Sequence, residues 1–192
     1  MIGSAAGTVC QAPREVRVPI RRIVKYGDPI LGAPTGAVAE INDEIRDLVR
    51  YMVETMYAAP GVGIAANQIG VGLRVAVIDV TAGQEPGHVI ILINPRIIEQ
   101  EGKQVEEEGC LSIPGFTEYV QRPSRAVIRA VNLEGREFTL EGRELLARAF
   151  CHETDHLDGK LFIDRLGGIK RQLITKKVRR AVETGEFEDV YP

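Results

Sequence analysis

The 192-residue sequence has no excess of basic residues, no long apolar run and too little cysteine for a disulfide framework. Its formal charge of −3 argues against a chain whose main role is to bind nucleic acid. No stretch approaches the roughly 18 apolar residues of a membrane span, and Met1 to Pro13 lack the charged and apolar regions of a secretory signal. The three cysteines, Cys10, Cys110 and Cys151, cannot all pair, which favours a reducing compartment. We therefore expect a cytoplasmic protein with at least one free thiol.

The length and a hydrophobic share of 44% are sufficient for one domain with its own core. The small and polar residues 1–16 predict a flexible N-terminal tail. Neither an internal repeat nor a low-complexity tract divides the remaining chain. Residues 17–192 are therefore predicted to form a single catalytic domain.

Helical spacing of apolar residues predicts three helices. The first follows Asn42, a candidate N-cap, the second runs from about Gly142 to Leu157, and the third runs from Gly168 to about Val182. Strand-like runs cover residues 73–80, 89–93, 104–108, 126–132 and 137–140. The predicted class is α+β, with mostly antiparallel sheets packed around the second helix and with an N-terminal and a C-terminal helix.

The strongest chemical signal is His152-Glu153-Thr154-Asp155-His156 in the predicted second helix. Residues four apart on a helix share one face, so both imidazoles can reach one metal ion with Glu153 beside it. Leu145 and Ala149 have the same helical phase and should bury the histidines against the core. The alternative, two ordinary helix histidines satisfied by hydrogen bonds, requires a coincidence, because the chain has only three histidines.

The third metal ligand distinguishes several kinds of site. The longer metzincin pattern fails at Phe162, which stands where its third histidine would be. Cys110 is the best candidate, because a thiolate is a good ligand for a divalent metal and Gly109 permits close backbone approach. A buried structural cysteine is the alternative interpretation. Further candidates for the third ligand are His88, Asp164 and Glu183.

Three separated motifs together resemble those of the peptide deformylase family. They are Gly61-Val62-Gly63-Ile64-Ala65-Ala66-Asn67-Gln68, Glu108-Gly109-Cys110-Leu111-Ser112 and His152-Glu153-Thr154-Asp155-His156-Leu157-Asp158-Gly159. Their order and approximate spacing also fit the family, and the likeness extends over roughly residues 18–182. The C-terminal helix resembles that of the bacterial class that ends in a helix.

The resemblance implies an enzyme that removes the N-formyl group from the N-terminal formylmethionine of newly synthesised polypeptides. It implies that Cys110, His152 and His156 hold one divalent metal ion, with water as the fourth ligand. Metal-bound hydroxide would attack the formyl carbon, and Glu153 would serve as general base and then as general acid. The family implies Fe²⁺ as the native ion, while Zn²⁺, Ni²⁺ or Co²⁺ could occupy the purified protein.

The resemblance also implies roles for residues around the metal. The side-chain amide of Gln68 and the backbone N–H of Leu111 would donate hydrogen bonds to the developing oxyanion. The substrate-binding residues predicted from the motifs and from helical phase are Val62, Gly63, Gly109, Leu145 and Ala149. Arg148 could reach the mouth of this site, but we interpret it as an ordinary surface arginine.

One residue departs from the family pattern, in which glutamine usually precedes the first histidine of the motif. Cys151 stands there in this sequence. Because helical geometry turns it about 100° away from His152, we predict a small buried residue that is not a metal ligand.

The third helix carries a basic run with no acidic residue between positions 170 and 180. Such runs usually form a solvated face, and the functional hypothesis is a transient contact with ribosomal RNA. The expected partners are therefore nascent formylmethionyl polypeptides and the ribosome, with no membrane. Two rival functions remain: a zinc endopeptidase with a carboxylate as third ligand, and a non-enzymatic module held together by metal.

Overall fold

The computed structural model describes residues 19–85 and 87–187. The predicted N-terminal tail, residues 1–16, lies outside the described residues, and so does Cys10. The described ranges contain three α-helices and seven β-strands, so the predicted α+β class is confirmed. In those ranges, no helix is long and apolar enough to cross a membrane.

Along the chain, one α-helix precedes the seven strands and two α-helices follow them. The helices are α1 (Asp43–Ala58), α2 (Glu144–Leu157) and α3 (Gly168–Glu183). The strands are β1 (Gly63–Ala65), β2 (Val75–Ile78), β3 (Ile90–Glu101), β4 (Gln104–Cys110), β5 (Ile113–Arg122), β6 (Arg125–Val131) and β7 (Glu137–Arg143). The order β1-β2-β3-β6-β7 forms one antiparallel sheet, and β4 pairs with β5 in a separate hairpin.

The five-stranded sheet has a helix against each face. Because side chains alternate along a strand, Val75 and Val77 of β2 pack in the cluster that contains α1, whereas Ala76 and Ile78 pack in the cluster that contains α2. The sheet residues in the α2 cluster include several alanines, among them Ala65. Small side chains let α2 lie close to the sheet, which gives this helix a fixed position.

Helix α2 has well-defined ends. It begins at Glu144 rather than at the predicted Gly142, because Gly142 pairs with Ala126 as part of β7. Its other end was predicted correctly: Gly159 has a φ of +72° and the N–H of Lys160 donates to the carbonyl of Asp155. Such a glycine satisfies the last carbonyls of a helix. The chemical motif therefore occupies the last turns of a helix that is fixed at both ends.

The hairpin of β4 and β5 packs with α3 in a third core region. Ile113 and Val120 of β5 share this cluster with Phe162, Ile174 and Val178. Hence Cys110, at the end of β4, and the two motif histidines on α2 are carried by different parts of the fold.

Several strand predictions were incomplete. Strand β5 was not predicted, β1 was missed because it has only three residues, and β3 extends to Glu101 instead of ending at Ile93. The predicted strand 73–80 is shorter in the structure, at Val75–Ile78. The N-terminal and C-terminal helices lie close to their predicted positions, with Asn42 capping α1 by accepting a hydrogen bond from the N–H of Ile45.

Candidate metal centre and active site

Cys110, His152 and His156 converge at one point. Their potential ligand atoms all lie within 4.8 Å of one another. Cys110 Sγ lies 3.1 Å from His156 Nε2, and the two imidazole rings are 5.0 Å apart in an edge-on arrangement. One thiol and two imidazoles at this spacing offer three ligands to a divalent metal and leave room for a further ligand.

The His152 ring is oriented by a carboxylate. Its Nδ1 lies 3.2 Å from Glu108 Oε2, so Nε2 is directed elsewhere. Glu108 in turn accepts two hydrogen bonds from Arg122, at 2.9 and 3.0 Å. A carboxylate behind a histidine fixes both the ring orientation and the nitrogen that is available to a metal.

Arg122 joins the metal-binding group to a second buried carboxylate. Its Nη1 lies 2.5 Å from Asp155 Oδ2, and Asp155 also pairs with Arg165. Burial by itself would raise the pKa of Glu108, but hydrogen bonds and charges from His152 and Arg122 lower it to about 2. The network therefore keeps Glu108 ionised wherever the protein is folded near neutral pH.

The surroundings of Cys110 and His152 favour the charged form of each side chain. Burial opposes ionisation of Cys110, but the charge of His156 and hydrogen bonds from both histidines hold its pKa well below the usual value. Burial likewise opposes protonation of His152, but Cys110 and Glu108 hold its pKa well above the usual value. These interactions favour the thiolate of Cys110, which is the form that binds metal.

Glu153 lies beside the three potential ligands in an enclosed position. Its side chain is 4% exposed, and Oε2 has no hydrogen-bond partner within the described chain. Burial raises the pKa of this carboxyl. Gly63 makes the position possible, because a Cβ there would overlap Glu153 Oε1 and stand 3.0 Å from Cδ. A buried carboxyl with a raised pKa and an oxygen that has no hydrogen-bond partner is suited to accept and deliver a proton.

Gln68 faces the same point from a 3-10 helix of residues 66–69. Its Oε1 accepts a hydrogen bond from the Ala65 N–H, which fixes the amide. Its Nε2 then points to Ser112 Oγ at 3.3 Å and to Cys110 Sγ at 3.6 Å. Leu111 lines the same cleft. A donor held this way requires little rearrangement when charge develops next to it.

A cleft of about 370 Å³ opens next to the potential ligands. All five predicted substrate-binding residues line it: Val62, Gly63, Gly109, Leu145 and Ala149. Leu145 is 39% exposed at this cleft, so the prediction that it buries the histidines was wrong, although Ala149 is buried. The remaining apolar wall includes Ile113, Pro114 and Phe116, which sequence reasoning did not identify because they belong to the unpredicted β5.

Other ligand candidates lie away from the metal-binding group. His88 is exposed and pairs with Glu85, and Asp164 accepts hydrogen bonds from the Leu161 N–H and from Arg171. Glu183 lies in α3. Across residues 19–85 and 87–187, the only group of three or more potential ligands is the one that contains Cys110.

The predictions for two residues next to the motif had different outcomes. Cys151 is buried in the core between α2 and the sheet, with its pKa raised to about 11 by burial, and it does not belong to the potential ligand group. Arg148 was interpreted as a surface arginine, but it lines the cleft, with Nη1 3.7 Å from Glu106 Oε2. The interpretation was wrong because the adjacent β4–β5 hairpin covers that face of α2.

The residues fit a divalent metal. The donor set combines a thiolate with two imidazoles, one of them backed by Glu108, and the carboxylate oxygen of Glu153 next to it is buried without a partner. Soft and nitrogenous donors of this kind suit zinc, iron and related ions. The fit supports a metal centre but leaves the identity of the ion open.

The chain resembles known proteins of one family over most of its length. A family model described as polypeptide deformylase matches residues 20–172. A peptide deformylase of Acidobacterium capsulatum is 51% identical over 168 residues, covering 88% of this chain and 99% of the relative. A peptide deformylase of Acetivibrio thermocellus is 53% identical over 147 residues, covering 77% and 84%.

Solved structures show the same likeness. A peptide deformylase from Legionella pneumophila gives a TM-score of 0.81 at 36% identity and covers 88% of this chain and 98% of its own. A peptide deformylase from Synechococcus elongatus, solved in complex with actinonin, gives a TM-score of 0.78 at 37% identity, with coverage of 84% and 89%.

Proposed function

The chain belongs to the peptide deformylase family of enzymes, which remove N-formyl groups, and we propose that its substrate is the N-terminal formylmethionine of newly synthesised polypeptides. One observation carries this proposal: Glu153 Oε2 is buried without a hydrogen-bond partner in the described chain, and it lies beside the Cys110, His152 and His156 side chains next to a cleft. The proposed catalytic domain comprises residues 17–192.

Cys110, His152 and His156 would hold one divalent metal ion, and Fe²⁺ is the proposed native ion. When bound, such an ion lowers the pKa of water and polarises a carbonyl oxygen. Glu108 orients His152, and the thiolate of Cys110 supplies the negative charge that balances the cation. Zn²⁺, Ni²⁺ and Co²⁺ suit the same donor set, so a metal found in purified protein would not by itself identify the working ion.

Glu153 moves the proton. In the ionised form it takes a proton from the attacking water, and it then delivers the proton to the nitrogen of the leaving methionine. Burial shifts the pKa of this carboxyl upwards, in the direction of neutral pH, so one residue can both accept the proton and donate it. The Gln68 amide and the Leu111 N–H stabilise the charge on the former formyl oxygen.

The cleft binds the first residues of the substrate. Its apolar part, which includes Val62, Leu145 and Ala149, would receive the methionine side chain. Gly63 and Gly109 leave the cleft wall without side chains at two positions, so a peptide backbone can approach closely.

The decisive experiment compares iron-loaded wild type with Glu153→Gln in an anaerobic assay of formyl-Met-Ala-Ser hydrolysis. We expect amine release by wild type and a loss of roughly 10²–10⁴-fold in the variant, with metal content unchanged. Glu107→Gln is the matched control, since Glu107 lines the same cleft but is hydrogen bonded to Thr117 at its exposed end. A fully metallated wild type that released no amine would refute the proposed reaction.

The rival peptidase function has its own outcome. Cys110→Ala should lose the metal if this thiolate is a ligand. A Cys110→Ala variant that retained stoichiometric metal and cleaved internal peptide bonds would instead favour an endopeptidase.

The proposed place of action is the cytoplasm, at the ribosome, where formylated chains emerge. Four cationic residues of α3 are exposed and have no ion pair in the described parts of the chain: Lys176, Lys177, Arg179 and Arg180. Exposed cations without protein partners are free to contact RNA phosphates. We expect reversal of these charges to abolish co-sedimentation with ribosomes at low salt, whereas charge reversal at Arg136 on the β6–β7 turn should not. Unchanged co-sedimentation of the α3 variant would exclude this contact.

A further inference from the structure

A second cavity, of about 910 Å³, lies on another face of α2. We call it the rear cavity; α2 contributes Cys151, Thr154 and Asp155 to its wall, and Asp158 directly after the helix also lines it. None of these four residues lines the catalytic cleft. Because α2 is a helix, its 100° turn per residue separates the two sets of side chains. The rear cavity is thus spatially distinct from the cleft that holds the proposed substrate.

Positive charge predominates in the rear cavity. Five cationic residues line it: Arg74, Arg96, Lys103, Arg122 and Arg165. The carboxylates in the wall are already engaged, since Asp155 pairs with Arg122 and Arg165, and Asp158 pairs with Arg74. Glu101 pairs with Arg125, which is outside the cavity wall.

Arg96 and Lys103 take no part in these ion pairs. Neither forms an ion pair or side-chain hydrogen bond in the described residues, and both are exposed at the rim. Their charges are therefore available to a ligand without the loss of an existing contact.

Arg165 offers a third positively charged donor. Its Nε and Nη2 are used for Asp155, which leaves Nη1 without an acceptor among the described residues. The side chain is 43% exposed, so Nη1 is accessible to a ligand in the cavity.

We propose that the rear cavity binds a small anion that carries phosphate groups. Arg165, Arg96 and Lys103 would supply positively charged donors to this anion. Guanidinium groups match phosphate oxygens in charge and in fork geometry, and an ammonium adds a compact positive charge. A cavity of this size accommodates a polyphosphate or a phosphorylated metabolite rather than a single monatomic ion.

An extended nucleic-acid strand fits the rear cavity less well. Strands are usually bound along a continuous basic groove, often with aromatic platforms. Here the described lining has no aromatic residue, and the carboxylates of Glu101 and Asp158 interrupt the positive charge. The arrangement therefore favours a compact ligand.

The test is calorimetric titration of the zinc-loaded protein with inorganic pyrophosphate, with metal content checked before and after. Arg96→Gln and Lys103→Gln should each weaken binding about tenfold, since hydrogen bonds to charged groups are worth more than neutral ones. Both residues are exposed, so the folded structure should be retained. The matched control is the double variant Arg22→Gln/Arg136→Gln, which removes the same charge as Arg96→Gln/Lys103→Gln at exposed positions outside the cavity and should bind like wild type.

Three results would overturn the proposal. Binding that persists undiminished in Arg96→Gln/Lys103→Gln would place pyrophosphate elsewhere, for example on the metal. An equal loss in the control double variant would show only a dependence on net charge. Binding of a ten-residue oligouridylate with no binding of pyrophosphate would make the cavity a nucleic-acid site.

Discussion

Replacing Gly63 with alanine should displace the proposed catalytic carboxylate without disturbing the metal ligands. The new methyl group would overlap Glu153 Oε1 and would stand 3.0 Å from Cδ and 3.2 Å from Cγ. Glu153 is buried, so its carboxylate cannot move into solvent. Gly63 lies in a strand with ordinary φ, so alanine adds no backbone strain there.

The size of the effect follows from this overlap. Ordinary van der Waals contact requires the Glu153 carboxylate to retreat by several tenths of an ångström, up to about 1 Å, and a misplacement of about 1 Å can cost about 10²-fold in rate. We therefore expect kcat/KM for formyl-Met-Ala-Ser to fall about 100-fold in Gly63→Ala, which corresponds to about 2.7 kcal/mol. Metal content should remain stoichiometric, because the three atoms nearest to the added Cβ all belong to Glu153, which is not a proposed metal ligand.

The matched control is Gly72→Ala. No atom outside its chain neighbours lies within 4 Å of a Cβ at Gly72, so this variant should keep wild-type activity. The reasoning would be refuted if Gly63→Ala kept more than half of the wild-type kcat/KM with normal metal content.

Three further predictions concern stability, pH and metal retention. Arg122→Met removes the buried cation between Glu108 and Asp155, so that only His152 and Arg165 remain to compensate them. Unfolding by urea should therefore show a loss of about 3–5 kcal/mol, against about 1 kcal/mol or less for the more exposed Arg125→Gln. The pKa of Asp79 is lowered to about 2, because hydrogen bonds from Thr81, Tyr57 and Gly83 outweigh the opposing effect of burial. Its contribution to stability is therefore present above the unfolded pKa of about 3.9 and is lost as pH falls towards 2. Urea titrations between pH 5 and 2 should show this loss in wild type and a flatter dependence in Asp79→Asn; parallel curves would contradict it. Cys151→Ser should keep stoichiometric metal by elemental analysis, because Cys151 lies outside the potential ligand group, and loss of metal would sink that assignment.

The chemistry-bearing helix could be predicted because its signals are local. The i, i+4 histidines, the apolar spacing and Gly159 all lie within one short segment, and each has a known helical consequence. The match of the first and third helices has the same origin, with Asn42 supplying a clear start for the first.

Strand β5 was missed because its buried side chains are not all apolar. The buried positions near its end are Val120 and Arg122, and Pro114 and Gly115 near its start resemble a turn. Arg122 is buried because it pairs with Glu108 on β4 and Asp155 on α2, residues 14 and 33 positions away. Contacts at such separations leave no local pattern, so neither the ion network nor the rear cavity could be predicted from periodicity.

The division of the site between the hairpin and α2 has a consequence for how the protein opens. Glu108 and Cys110 come from the β4–β5 hairpin, whereas His152, His156 and Asp155 come from the helix on the main sheet. A metal held by all three potential ligands would link the hairpin to α2, alongside the buried ion pairs of Arg122. Loss of the metal should therefore be detected first as faster amide hydrogen exchange in the hairpin, while exchange in the main sheet stays slow. Loss of the metal would then loosen the fold at the same place where it ends the proposed activity.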